Sequence, residues 1–376
     1  MAKRVIISGG GTGGHIFPAI AIANALRRIE PDIELLFVGA NGKMEMEKVP
    51  AAGYVIKGLD IQGIDRKSVW KNLMLPLKLY RSMQRAKQIV REFNPDVAVG
   101  VGGYASGPLL YTAAKMNIPC LIQEQNSYAG ITNKKLGAKA ARICVAFDGM
   151  ERFFPAAKMR FTGNPLRRES VSIRGKRDEA LASFGLDPHK KTILVTGGSL
   201  GARTLNECML GGLDRLLASH VQLIWQCGGY YYEAIRPIIG ANHTVGITLT
   251  AFLNRMDLAY AAADIIIARA GAGTIAELCA VGKPAILVPS PNVAEDHQTK
   301  NARALVGKQA AVMIADAEAP VRLISCALDL LQDEKQCTAL AENIAGMAIL
   351  DADEVIAKEV LQLAGDRDVC RKGIKR

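Results

Sequence analysis

The sequence predicts an α/β chain built from two Rossmann-like, doubly wound parallel sheets. Three observations carry that expectation. First, two glycine-rich turns of like build open the two halves. Val5-Ile6-Ile7-Ser8 stops at Gly9-Gly10-Gly11-Thr12-Gly13-Gly14-His15, and Thr192-Ile193-Leu194-Val195-Thr196 stops at Gly197-Gly198-Ser199-Leu200-Gly201. In such turns glycines let the backbone approach a phosphate, and the following helix offers free N–H groups. Second, short apolar runs alternate with helical patterns in both halves, the grammar of a parallel sheet. Third, 376 residues, 49% hydrophobic and 22% charged, suffice for about two domains with real cores.

The elements follow in order. In the first half, strands are expected at 4–8, 33–38, 97–99, 118–122 and 142–146, with helices at 18–29 (after Pro18), 77–93 and 107–116. In the second half, strands are expected at 192–196, 221–226, 246–249, 265–268, 285–288 and 311–314, and a last helix at about 352–364. The boundary falls near Gly163-Asn164-Pro165, before a charged stretch. Nearly every glycine-rich turn follows the carboxyl end of a strand, where open parallel sheets bind ligands. If the two sheets face each other, these turns line one cleft.

Composition narrows the function. The eight cysteines are scattered, so they read as reduced core residues of a cytoplasmic chain; no signal peptide is visible, and no apolar run is long enough to span a bilayer. Five dispersed histidines give no metal-site pattern. The net charge of +11 calls for an anionic partner. Nucleic acid is a poor fit, since aromatics are only 5% and no nucleic-acid motif occurs. Between Arg66 and Arg91 there are eight Lys or Arg and no acid. Leu79, Met83, Ala86, Val90 and Phe93 fit a buried helix stripe there. Trp70, Leu73, Met74 and Leu77, among Lys71, Lys78 and Arg81, suit the surface of an anionic bilayer.

The motifs narrow it further. Ile33–Val38 runs into Gly39-Ala40-Asn41, without the acid that binds an NAD ribose, which counts against a dehydrogenase. His15 closes the first turn before a helix starting near Pro18. It could serve as a general base or could merely cap the helix or bind backbone. In Arg269-Ala270-Gly271-Ala272-Gly273-Thr274-Ile275-Ala276-Glu277 a strand ends, glycines allow close approach and a helix begins at Thr274. Glu277 then lies in the helix's first turn, either for dipole reasons alone or to accept ribose hydroxyls. Asp351-Ala352-Asp353 reads as a helix cap rather than a metal pair.

Taken together and in order, Gly9–His15, Gly102-Gly103-Tyr104-Ala105-Ser106-Gly107-Pro108, Glu124-Gln125-Asn126, Gly163-Asn164-Pro165-Leu166-Arg167, Gly197–Gly201 and Gly271–Glu277 resemble the MurG family of bacterial N-acetylglucosaminyltransferases, over nearly the whole chain. The resemblance implies a GT-B fold and inverting transfer of GlcNAc from UDP-GlcNAc to the MurNAc 4-hydroxyl of undecaprenyl-pyrophosphoryl-MurNAc-pentapeptide (lipid I), giving lipid II. It implies an acceptor and membrane-associating domain of residues 1–163 plus a returning C-terminal helix at about 348–376, and a donor domain of 164–347. Ser199 with its helix N-terminus, Thr274 and Arg167 would meet the diphosphate. The Leu253 backbone would read uracil, Glu277 and Gln298 would hold the ribose, and the backbone from Ala272 through Gly273, Ile275 and Ala276 would close on the donor. Thr12, Gly13, Gly14 and Asn126 would approach the transferred sugar and the acceptor. Gly103, Tyr104, Ser106, Glu124, Gln125 and Asn133 are acceptor-side candidates, and His15 is the base. No metal or other cofactor is expected, because helix N-termini and Arg167 stabilise the leaving group. The chain is expected peripherally at the cytoplasmic face of the inner membrane, bound to its anionic surface, with partners from a cell-wall and division complex admitted. The rival reading is another GT-B enzyme, a UDP-GlcNAc 2-epimerase or a glycosyltransferase with a soluble acceptor.

Overall fold

The computed structural model describes residues 2–62, 75–242, 246–293 and 296–373. The chain divides into two compact units, Met1–Leu166 with Leu350–Arg376, and Arg167–Ile349.

The first unit holds a seven-stranded sheet in the order β3-β2-β1-β4-β5-β6-β7. Its strands are β1 Arg4–Gly9, β2 Glu34–Ala40, β3 Val55–Leu59, β4 Val97–Gly102, β5 Cys120–Glu124, β6 Arg142–Val145 and β7 Met159–Phe161, paired in parallel throughout. Helices α1 Gly13–Ile29, α2 Glu45–Ala51, α3 Leu75–Phe93, α4 Ser106–Lys115 and α5 Ile131–Gly137 connect them. One face of the sheet packs on α1 through Ile16, Ile20, Ala23 and Leu26, and the other on α3 and α4 through Ala86, Val90, Leu109 and Leu110. Coverage on both faces is why the central strands are continuous apolar runs. The strand order reverses between β1 and β4, so the turns after those strands sit at the switch point where such sheets bind ligands.

The helix Ala352–Gly373 belongs to this unit. Ile356, Ala357, Val360 and Ala364 are fully buried in the α1 side of the core. Complete burial is worth about 1.5–3 kcal/mol for an Ile or Val. Asp353, expected to cap, instead pairs with Arg28 at 2.7 Å, and Glu359 pairs with Arg142 at 2.7 Å and Arg160 at 3.0 Å. These carboxylates are nearly buried, and such charges require partners.

The second unit holds a six-stranded parallel sheet in the order β10-β9-β8-β11-β12-β13. The strands are β8 Thr192–Thr196, β9 Gln222–Gln226, β10 Ile247–Thr250, β11 Ile265–Ala268, β12 Ala285–Leu287 and β13 Val312–Met313. The order reverses between β8 and β11, which places the turns opened by Gly197 and Arg269 side by side.

Three features differ from the sequence reading. Strands β3 and β7 were not expected. Both are sheet edges, and exposed Val55 and Phe161 break the apolar run that marks a buried strand. Helix α1 begins at Gly13 rather than near Pro18, so Pro18 lies inside it at the cost of one helix hydrogen bond, and His15 stands in the helix's first turn. Leu79 is exposed and Met83 half-buried; Ala86 and Val90 of the expected stripe are buried, joined by Ser82 and Ile89, with Phe93 packed partly buried against the same core.

The second glycine turn is tightly constrained. Gly201 has φ +77°, and a Cβ there would collide with the Cys227 carbonyl oxygen and press on Gly228. Gly201→Ala should therefore destabilise the second unit by about 2–4 kcal/mol, from left-handed strain and overpacking together. Urea unfolding of the variant against the parent chain measures this.

Candidate active site

In the first unit the turns after β1 and β4 interlock. The Gly10 N–H donates to the Gly102 carbonyl at 3.3 Å. Gly103, at φ +90°, lies so close that a Cβ would strike the Gly10 carbonyl. The His15 ring fills the space that Gly102 leaves open, since a Cβ on Gly102 would lie 2.6 Å from Cδ2 and 2.8 Å from Nε2. His15 is half-buried. Its Nδ1 is 3.1 Å from the Gly10 carbonyl and 3.4 Å from Thr12 Oγ1. A carbonyl only accepts, so Nδ1 carries the proton and Nε2 carries the basic lone pair.

Around this ring Thr12 and Gly14 are exposed, and Gly13 is half-buried. Tyr104 is exposed and its ring edge borders Gly11. Ser106 is buried, with its hydroxyl directed at the Ser8 carbonyl at 3.5 Å.

The turn after β5 is organised by Glu124. This buried carboxylate accepts from Asn126 N at 3.1 Å, Gly130 N at 3.0 Å and Asn133 Nδ2 at 2.8 Å. Asn126 Nδ2 is also 3.4 Å away. Asn133 is buried with it, and Gln125 is buried with its amide donating to the Val101 carbonyl at 2.6 Å. Of the predicted set after β5, only Asn126 is half-open to solvent; the others hold its turn in place.

In the second unit, Gln226 Nε2 donates to the Gly198 carbonyl at 2.8 Å and fixes the glycine turn. Ser199 is half-exposed in that turn, and the helix begins only at Arg203, four residues later than Ser199 itself. The helix after β11 runs Ala272–Val281, with Gly271 extended at its cap. Glu277 thus stands in the second helical turn, not the first, beyond the reach of the dipole argument. What holds it is Tyr260, whose buried hydroxyl donates to Glu277 Oε2 at 2.8 Å. Burial raises the Glu277 carboxyl above the ordinary range, opposed by the Arg167 charge and the Tyr260 hydroxyl. Arg167, Tyr260 and Glu277 are therefore one electrostatic group.

Thr274 and Gly273 are half-exposed on the same first turn. Ala272 and Ile275 point into the core, so only their backbone is available. Leu253 is buried behind exposed Phe252. Gln298 accepts from the Ser290 N–H at 2.8 Å, which ties its helix to the segment after β12. Trp70, Lys71, Leu73 and Met74 lie outside the described residues; Leu77, Lys78 and Arg81 are at the start of α3, with Leu77 and Arg81 exposed.

Sequence reasoning missed Glu45, Tyr260 and the Arg269–Asp316 ion pair that braces the segment after β12 through the Val288 and Pro289 carbonyls. Each works through partners remote in sequence, and nothing local to those residues signals the contact.

The comparisons agree with this arrangement. The N-terminal domain of glycosyltransferase family 28 matches residues 5–145, and its C-terminal domain matches residues 192–358. A protein of Bacteroides fragilis named UDP-N-acetylglucosamine--N-acetylmuramyl-(pentapeptide) pyrophosphoryl-undecaprenol N-acetylglucosamine transferase is 56% identical, with 96% of each chain covered. A protein of the same name from Parabacteroides distasonis is 55% identical, over 96% of this chain and 98% of the relative. The crystal structure of Acinetobacter baumannii MurG superposes with a TM-score of 0.75 at 30% identity, over 96% of this chain and 99% of that one. With two parallel Rossmann-like sheets, matches to both family domains and relatives of this identity along its length, the chain has the GT-B fold and belongs to the MurG branch of glycosyltransferase family 28.

Proposed function

We propose that the chain transfers GlcNAc from UDP-GlcNAc to the 4-hydroxyl of MurNAc in undecaprenyl-pyrophosphoryl-MurNAc-pentapeptide, with inversion, giving lipid II for peptidoglycan synthesis. The observation that carries this reading is the 56% identity spread over 96% of both chains. It extends over the first unit, where an epimerase or a soluble-acceptor enzyme needs different chemistry.

The proposed roles are those that the family resemblance implies. In a single inverting step the acceptor oxygen attacks C1 of GlcNAc opposite UDP; the new C1–O4 bond forms as the C1–phosphate oxygen bond breaks. His15 Nε2 takes the acceptor proton, and the diphosphate leaves with the electron pair. Backbone N–H groups of the Gly197–Gly201 turn and of the helix Ala272–Val281, with Ser199, Thr274 and Arg167, stabilise that charge. Glu277 and Gln298 hold the ribose, the Leu253 backbone meets uracil, and Thr12, Gly13, Gly14 and Asn126 meet the sugar. The second unit is then the donor domain and the first the acceptor domain.

The acceptor is lipid-linked, and the first unit offers a surface for it. Leu77, Leu79 and Tyr80 are 40%, 43% and 61% exposed on α3, flanked by Lys78, Arg81 and Arg85. No helix among the described residues is long and apolar enough to cross a membrane. This reading places the chain peripherally on the anionic cytoplasmic face of the inner membrane. Leu77→Ser with Tyr80→Ser should weaken binding to vesicles containing phosphatidylglycerol by about tenfold or more, since each side chain contributes on the order of 1 kcal/mol at partial burial. Co-sedimentation measures it, and unchanged binding of the folded double variant would remove this surface from the reading.

The function itself is tested by transfer of labelled GlcNAc from UDP-GlcNAc to a short-chain lipid I analogue. A β-1,4-linked disaccharide is the expected product. UDP-GlcNAc binding with no product would move the acceptor assignment to the rival enzymes.

A further inference from the structure

The missing acid at the end of β2 is supplied from elsewhere. Glu45, from α2, is fully buried, and its carboxylate reaches back under the first glycine turn. Oε2 accepts the Gly11 N–H at 2.9 Å and Oε1 accepts the Ala40 N–H at 3.0 Å. Two glycines clear its path. A Cβ on Gly10 would strike the carboxylate, and one on Gly39 would lie 2.5 Å from Glu45 Cγ.

The Gly11 N–H and the Gly10 carbonyl are the two ends of one peptide group, and in a trans peptide they point in opposite directions. The N–H end binds Glu45. The carbonyl end, 3.1 Å from Nδ1, holds the His15 ring. Gly11 has φ +85°, and a peptide between two glycines meets little steric resistance to turning over. Turning it over would aim an N–H at His15 Nδ1 and favour the tautomer with the proton on Nε2.

We propose that Glu45 is the positioning residue for His15: a buried anion, built into the chain, that locks the Gly10–Gly11 peptide and thereby fixes the ring with its proton on Nδ1. The same carboxylate occupies an amide of the turn that would otherwise be open to a phosphate. The first glycine turn is thus liganded by its own chain, although its sequence reads like a nucleotide turn. The inference rests on His15 as the general base.

The test uses the full-length protein with Glu45→Met, which keeps length but removes both acceptors, and Glu45→Gln, which keeps one. In Glu45→Met, kcat should fall about ten- to a hundredfold, the cost of a misplaced catalytic group. The KM for UDP-GlcNAc should change less than kcat, because the residues proposed to hold the diphosphate, ribose and uracil lie in the second unit and only the transferred sugar is assigned to the first. Glu45→Gln should lose less, and it carries the test if the Met variant does not fold. In a His15→Ala background neither change should lower kcat further. Nitrogen-15 spectra of the His15 ring, assigned by difference from His15→Ala, should show an Nδ1-protonated ring in the parent and a mixture of tautomers in the variants. An unchanged kcat in the folded variants, or an equal loss in the His15→Ala background, would overturn the proposal. Full turnover of His15→Ala alone would defeat the general-base reading instead, and the ring spectra would still report whether Glu45 sets the tautomer.

Discussion

His15→Ala should lower kcat for GlcNAc transfer by about 10²–10⁴-fold, the usual worth of a positioned general base, and leave UDP-GlcNAc affinity within about twofold. The expectation follows from three properties of the ring. It sits at the switch point of the first sheet, in the first turn of a rigid helix rather than on a loop. Its Nδ1 is committed to the Gly10 carbonyl, so its basic nitrogen is Nε2. It lies in a slot lined by Gly102, whose missing Cβ is what makes room for it. Removing the ring takes away the proposed proton acceptor and leaves the residues proposed to hold UDP unchanged, so titration calorimetry with UDP-GlcNAc separates binding from turnover. The acid limb of the kcat–pH profile, which protonation of the base produces, should vanish with it. Near-normal turnover in the variant, with its acid limb intact, would reassign the proton to another group.

Much of this arrangement was legible from residue order, and the reason is physical. A strand buried on both faces must be apolar along its length, so Val5–Ile7, Thr192–Val195 and Ile265–Ile267 announce themselves. The glycine turns are legible because only glycine tolerates the backbone at Gly102, Gly103, Gly198 and Gly201, all at positive φ. Edge strands carry no such constraint, which is why Val55–Leu59 and Met159–Phe161 went unread. The supporting polar groups were hidden for a different reason. Glu45 meets Gly11 across 34 residues and Tyr260 meets Glu277 across 17, and an acid on a helix or a tyrosine in an apolar run looks ordinary until the fold supplies its partner. Glu277 shows the limit most sharply. Its residue type and motif suggest a ribose contact, but the helix begins two residues earlier than the glycine spacing suggested, and its carboxylate is governed by Tyr260, Arg167 and burial rather than by the dipole.

Glu277→Gln should weaken UDP-GlcNAc binding by about 10- to 100-fold, since a hydrogen bond to a charged acceptor is worth about 1.5–3 kcal/mol. The same change should raise the stability of the ligand-free protein at neutral pH, and the sign can be worked out. Burial lifts the Glu277 carboxyl above its ordinary value. Between the ordinary value and the raised one, the folded chain binds more protons than the unfolded chain. Stability therefore falls as pH rises through that window, and the ionised carboxylate costs stability above it. A glutamine still accepts the Tyr260 hydroxyl but carries no charge to desolvate. Its advantage should be largest above the window and disappear below the ordinary carboxylate range, which thermal unfolding across pH would show. With the ribose hydroxyls donating to this carboxylate, as proposed, donor affinity in the parent should fall as pH drops through the raised value. Tyr260→Phe removes a hydrogen bond that lowers that value. The loss of affinity should then begin at higher pH in Tyr260→Phe, with kcat at saturating donor unchanged. A carboxylate kept at a cost to folding and recovered on binding is the signature of a site selected for its ligand; a Glu277→Gln variant that binds UDP-GlcNAc normally, or is less stable than the parent at neutral pH, would make Glu277 a structural residue.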